Sequence, residues 1–239
     1  MPDPLQSQLD AITARTRTLL QPDRLAVTDT AIHDLLASGI ESRILPVGSA
    51  APSFALQPAS ATALSPSNPA LTKLIRSSDL LALGPVILNF FRGRWCPYCV
   101  TELEAWQAVY PQLRASKDGR PSALLVAISP QLPRQNDFLI QQHSLTFPIL
   151  SDPGCRLAAA FGIAYTIPEP MRAHYRSILV NLPFIHGNQG DQGEETWRLP
   201  LPATFVLKPT QNGEATIAFA EAHADHRVRP DPRDVLATL

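Results

Sequence analysis

Charge of either sign is sparse in this chain. It has 20 Lys and Arg against 21 Asp and Glu in 239 residues, a formal net charge of −1. Without a dense Lys/Arg run it offers no footprint for nucleic acid and no electrostatic hold on a membrane surface. Long apolar runs are missing too. The longest nearly unbroken one, Leu80 to Phe91, is too short to span a bilayer, and the start Met1-Pro2-Asp3-Pro4-Leu5 lacks the basic and apolar segments of an export signal. A soluble, unexported protein of the cytosol is the expectation. Cysteine is rare: Cys96, Cys99 and Cys155 are too few for a secreted disulfide framework. No metal, flavin or nucleotide signature is present. The hydrophobic content of 45% nevertheless fills a real core, so disorder throughout is excluded.

What is there turns on Cys96-Pro97-Tyr98-Cys99. It follows the apolar run Val86 to Phe91 and opens a helical pattern with Cys99, Leu103, Trp106, Tyr110 and Leu113 on one face. A helix start leaves backbone N–H groups unpaired and carries partial positive charge, which stabilises a thiolate on Cys96; Arg92 and Arg94 add cationic charge nearby. Cys96 is the candidate nucleophile. Pro97 suits the first helical position, and Cys99 stands about one turn on, where it can close a short disulfide as the resolving thiol. Two other readings stay open. Structural zinc would need two more thiolates or imidazoles, and beyond Cys155 the closest His pair is His223-x-x-His226. A pair of inert core cysteines would have to explain the position at a helix start beside Trp95 and two arginines.

Residues 1–44 read as a helical extension: Leu5, Leu9, Ile12 and Leu19 recur at helical spacing, and Ile32, Leu35 and Leu36 form a second face. This segment carries no chemistry of its own and serves as a cover or as a homodimer contact. Residues 58–69, rich in Ala, Ser and Pro, read as a mobile surface loop. Strand-like runs at 86–91, 123–128 and 204–207 alternate with helical stretches at 97–117 and 131–144, the pattern of a largely parallel sheet. Asn212-Gly213 turns a hairpin between 203–208 and 215–220, and 232–239 closes as a helix. The stretch 165–200 fits least: a helical candidate at 168–179 and a glycine-rich loop at 186–193 read as an insertion, a lid or a passive loop.

Five stretches in order, covering roughly residues 45–239, carry a resemblance. They are Val47 to Leu56, Asn89 to Cys99, Phe147 to Gly154, Leu201 to Val206 and Asp225 to Pro230. The chain resembles the peroxiredoxin-like branch of the alkyl hydroperoxide reductase/thiol-specific antioxidant family. That resemblance implies an α/β, thioredoxin-like fold with a central mixed sheet flanked by helices, following the N-terminal helical extension. It departs from the family's PxxxTxxC pattern, with Asn89 and Gly93 at the Pro and Thr positions. Pro202 stands where a strand-borne arginine is usual. Breaking a peroxide O–O bond requires donors that stabilise charge on the departing oxygen, a task left to Arg92, Arg94, Arg227 or Arg229. Thioredoxins and glutaredoxins carry a cis-proline facing their dithiol at this strand start, so Leu201-Pro202 is the candidate equivalent, lying with Trp95, Pro97 and Tyr98 around the dithiol.

The function implied is a thiol-dependent oxidoreductase that reduces a small hydroperoxide or disulfide, with a thioredoxin- or glutathione-type reductant and no cofactor. The alternatives are a non-catalytic redox-sensing binding module and a tailoring enzyme acting on one metabolite. Cys155, before the helical run 156–161, is either a second reactive thiol or a half-buried structural residue. Glu102 is expected to complement the helix dipole.

Overall fold

Every residue of β3 (Val86–Phe90) is buried, as a strand covered on both faces requires. In the computed structural model, which describes residues 3–59, 74–114, 121–187, 193–210 and 214–239, β3 is central. It runs parallel to β4 (Leu124–Ser129), which is parallel to β5 (Ile149–Ser151), and antiparallel to β8 (Ala203–Pro209). With β1 (Ala55–Pro58), β2 (Ile75–Arg76) and β9 (Ala215–Ala222) the sheet order is β2-β1-β5-β4-β3-β8-β9. The sheet is thus mixed, as the family resemblance implies, with only β3, β4 and β5 mutually parallel.

The two-residue period of a strand sends alternate side chains into separate layers. Ile87, Leu125, Ala127 and Val206 pack with Leu103, Trp106 and Leu113 of α4 (Pro97–Arg114) on one face. Leu88, Phe90, Val126 and Phe205 pack with Phe161 and Leu157 of the α6 region (α6, Arg156–Ala160) on the other. The strands flanking Asn212-Gly213 pair as expected, although the turn itself lies outside the described residues, as does most of the 58–69 loop. The helix expected over 97–117 is described as far as Arg114, and that over 131–144 runs Pro133–His143 (α5). The closing helix is shorter than expected, Pro232–Leu236 (α9). Among the described residues no helix is long and apolar enough to cross a membrane.

The N-terminal helices α1 (Leu5–Leu19) and α2 (Pro22–Ala37) form as the spacing predicts. Leu5 and Leu9 are fully buried against the α4 layer with Ile12 beside them, so the stripe covers the chain's own domain. Leu19, assigned to that stripe, is 69% exposed, because the apolar core contact of α1 ends at Ile12 and the last turn runs on past the core. The stretch 165–200 is more structured than an insertion. It holds β6 (Ala164–Thr166), α7 (Glu169–Ser177), α8 (Leu182–His186) and β7 (Arg198–Pro200), and β6 pairs β7 as a separate antiparallel ribbon. Met171, Tyr175, Leu182 and Trp197 give it a core of its own. Three-residue strands this far apart in sequence leave no periodic signal. Residues 188–192 of the glycine-rich loop lie outside the described residues.

One close approach ties the N-terminal segment to the sheet layer. Gly162, at φ +76°, faces the Arg43 carbonyl so closely that a Cβ would sit 1.9 Å from its oxygen, while Leu45 donates its amide to the Phe161 carbonyl. Gly162→Ala combines a left-handed Ala with a backbone clash and is expected to cost about 3 kcal/mol or more. A lowered urea midpoint at unchanged m-value would show it.

Candidate active site

The link from β3 to α4 sets the position of Cys96. Cys96 precedes the first residue of α4, Pro97; its amide donates to the Gly93 carbonyl (3.2 Å), and its own carbonyl accepts from Cys99 and Val100 (3.1 Å each). Its sulfur therefore stands at the positive end of an 18-residue helix. Gly93 occupies the position of the family's threonine for a steric reason. Its φ is +154°, and a Cβ there would lie 2.5 Å from Trp95 Nε1, so the indole fills the space a threonine would take. Asn89, at the proline position, donates Nδ2 to Glu102 (2.7 Å) and to Thr204 Oγ1 (3.3 Å).

Two buried arginines supply the charge. Arg92 donates Nη1 toward Cys96 Sγ at 3.8 Å, Nη2 to the Tyr175 hydroxyl on α7, and stacks over the Trp95 ring at 4.8 Å. Arg229 donates Nη2 to Cys99 Sγ at 3.5 Å and pairs through Nη1 with Glu102 at 3.2 Å, both side chains fully buried. Burial opposes ionisation of Cys96. The hydrogen bond from Cys99 and the charges of Arg92 and Arg229 outweigh it, and the Cys96 pKa falls to about 5. Cys99 moves the opposite way: burial, then its hydrogen bond and proximity to Cys96, push it well up, so it stays a thiol and donates to the neighbouring thiolate. His226 is pushed well below the ordinary imidazole range by burial and by Arg92, Arg229 and Arg227, so its ring is neutral. It stands edge-on to Tyr98 at 5.4 Å.

Several expectations need correction. Cys96 is only 1% exposed, because α1, α2 and α7 close over it, and it lines a cavity of about 170 Å³ beneath them. The N-terminal helices therefore do contribute to the site: Thr13 hydrogen-bonds the Tyr98 hydroxyl at 3.1 Å, and Asp29 pairs with Arg227 at 2.8 Å. Arg94 turns away, its Nε bonded to Gln135 and its backbone amide to Gln131. The Leu201-Pro202 bond is trans. The Leu201 amide bonds the Ile163 carbonyl and the Pro202 carbonyl accepts from the His223 amide where the chain passes from β7 into β8. Leu201 belongs to the opposite core layer, and neither residue lines the cavity, whose walls come from the N-terminal helices, α7 and the 226–227 segment. Trp95, Pro97 and Tyr98 do line it. Cys155 is fully buried on the far face, with its thiol held well up by burial and by Asp152, the setting of a structural residue. Glu102 is not a surface complement to the dipole. It is buried, and burial raises its pKa despite Arg229 and Asn89. Tyr175 escapes sequence reading, since it is about fifty residues from His226 and Arg229 and more than seventy-five from Cys96, and meets them only through packing.

A model of the AhpC/TSA family matches residues 47–212, well over half of the sequence. The chain belongs to the AhpC/TSA family. No curated protein matches it. Among solved structures it is similar to the peroxidoxin BcpB of Mycobacterium tuberculosis (19% identity, TM-score 0.53, covering 81% of this chain and 96% of that one). It is also similar to AhpC of the same organism (20%, TM-score 0.52, 81% and 95%). A third is a yeast mitochondrial 1-Cys peroxiredoxin (18%, TM-score 0.52, 81% and 74%). At these identities the likeness establishes the peroxiredoxin-type, thioredoxin-like fold, and the family match supplies the class of activity, thiol-dependent oxidoreduction. The family-matched stretch contains Arg92, Cys96 and Cys99; Arg229 and the N-terminal helices lie outside it.

Alkylation of Cys96 by iodoacetamide should follow a thiolate titrating near pH 5, falling as pH drops through that value and flat above it. Arg92→Met removes the adjacent cation and should raise the midpoint by about 1–3 pH units. An unchanged midpoint would show that Arg92 does not acidify the thiol.

Proposed function

We propose that this AhpC/TSA member is a cytosolic thiol peroxidase for small hydroperoxides, with Cys96 as nucleophile, Cys99 as resolving thiol, and Arg92 and Arg229 as the charges that hold the dithiol in its reactive form. The observation that carries this reading is the Cys96 sulfur at a helix start, 3.8 Å from a buried arginine and lining a partly open cavity. The Cys96 thiolate attacks one peroxide oxygen, the O–O bond breaks, and the departing alkoxide takes a proton from solvent to leave as the alcohol. Cys96 becomes a sulfenic acid. Cys99 then attacks that sulfur, its proton leaves with the hydroxyl as water, and a Cys96–Cys99 disulfide forms. Two electrons from an external dithiol or two monothiols restore the pair.

The missing threonine and strand arginine do not leave the peroxide without donors. Arg92 reaches the sulfur from the β3–α4 link, and Tyr175 fixes the guanidinium from α7, so charge developing on the leaving oxygen has a preorganised partner. The yeast relative is described as resolved through glutathione and thioredoxin systems, and a thiol reductant of that kind is the natural partner here. A second reading, exchange with a small disulfide, is favoured by the two residues that separate the cysteines and by a resolving thiol hydrogen-bonded to the nucleophile.

With hydrogen peroxide, an organic hydroperoxide and a small disulfide as oxidants, Cys96→Ser should lose at least about 10³-fold of the wild-type rate of thiol oxidation. Cys99→Ser should still react once with peroxide and stop as a dimedone-reactive sulfenic acid. If Cys99→Ser instead accumulates mixed disulfides and ignores peroxide, the exchange reading holds; if Cys96→Ser reacts normally, the nucleophile is misassigned.

A further inference from the structure

The hydroxyl of Tyr175 has a hydrogen to give. An arginine side chain donates and never accepts, so in the bond between Arg92 Nη2 and Tyr175 the phenol oxygen is the acceptor. Its own hydrogen is left for another acceptor, and none takes it among the described residues. Burial pushes the phenol well up despite Arg92, so that hydrogen stays in place through the neutral range. The side chain lines the same cavity as Cys96. One guanidinium reaches the sulfur through Nη1 and the hydroxyl through Nη2, which brings the two groups to the same corner. Trp95, whose indole takes the space that a side chain at Gly93 would need, packs against the Tyr175 ring at 5.0 Å. Arg92 Nε and Trp95 Nε1 are also buried there, as donors without a partner among the described residues. Buried donors left unpaired are unfavourable, and a bound acceptor oxygen relieves them.

We propose that Tyr175 is a catalytic residue: its hydroxyl donates a hydrogen bond to the departing oxygen of the peroxide, supplying from α7 the donor hydroxyl that this chain lacks at Gly93. The inference rests on the peroxidase reading above and deepens it. The Cys96 thiolate attacks the near peroxide oxygen, the electron pair of the O–O bond passes to the far oxygen, and the charge developing there meets the Tyr175 hydrogen and Arg92 together. Solvent still supplies the proton that completes the alcohol, and Tyr175 ends the step as it began. The help such a donor gives grows with the basicity of the oxygen that leaves.

Two oxidants separate this role from a structural one, because tert-butyl hydroperoxide expels a strongly basic alkoxide and peracetic acid a weakly basic carboxylate. Tyr175→Phe should lower the second-order rate of Cys96 oxidation by tert-butyl hydroperoxide on the order of 10²-fold. Its rate with peracetic acid should stay close to that of the wild type, as should the pH midpoint of iodoacetamide alkylation. A loss of equal size with both oxidants, or one accounted for by a moved alkylation midpoint, would show that Tyr175 only positions Arg92 and would overturn the inference. Replacing Tyr175 by 3-fluorotyrosine keeps the shape of the ring and makes the hydroxyl a stronger donor, which covers the case of a phenylalanine variant that does not fold. That protein should react about twofold faster with tert-butyl hydroperoxide and at the wild-type rate with peracetic acid; no change with either oxidant would also overturn the inference. A wild type that iodoacetamide alkylates but neither peroxide oxidises would sink the peroxidase reading itself, and this inference with it.

Discussion

A guanidinium removed from water at the end of β3 sets the terms for the rest of the site. Burying such a charge costs several kcal/mol unless it is paired, and Arg92 has no carboxylate partner among the described residues. Its contacts are the Tyr175 hydroxyl, the Trp95 ring and the Cys96 sulfur. Burial pushes the Tyr175 phenol well up, so of the three only the sulfur is anionic near neutral pH; the Cys96 thiolate, itself held by the hydrogen bond from Cys99, is the charge that Arg92 faces. The helix end contributes in the same sense, but its effect is at most about 2 kcal/mol even in a buried setting, short of what brings a buried thiol down to about 5.

The second arginine divides the labour within the dithiol. Arg229 already has a carboxylate, Glu102, which Asn89 holds from the floor of the sheet. Burial, with the hydrogen bond to and the charge of Cys96, keeps Cys99 protonated despite Arg229. Two thiols three residues apart end with opposite protonation, one ready to attack and one ready to follow. Enclosure sharpens this difference, because charge interactions strengthen as water is excluded. The helices that provide it are anchored at several points: Leu5 and Leu9 in the α4 layer, Thr13 on Tyr98, and Asp29 on Arg227.

Much of the framework was legible in the sequence. The buried runs of β3, β4 and β8 and the one-sided apolar spacing of α1 and α4 are periodic signals that local geometry forces. The motif at 96–99 announced its own position at a strand-to-helix turn. What was not legible shares one cause. Arg92 and Arg94 look equivalent in the chain, yet Gln131 and Gln135 draw Arg94 outward while Tyr175 holds Arg92 inward. Pro202 stands at the start of β8, but its peptide bond is trans and the 226–227 segment, not this strand start, walls the cavity. Residues 165–200 offered no period, because their core forms only when β6 meets β7.

By itself, then, the sequence determined the strands and helices, the family, and the dithiol at the start of α4, since each depends on neighbours within a few residues. Tertiary structure alone decided which arginine reaches which sulfur, that Glu102 is buried, and that the first two helices roof the site. Those outcomes depend on packing between segments up to more than a hundred residues apart, as between Arg229 and Cys99, and no local pattern encodes which side chain a buried charge will meet.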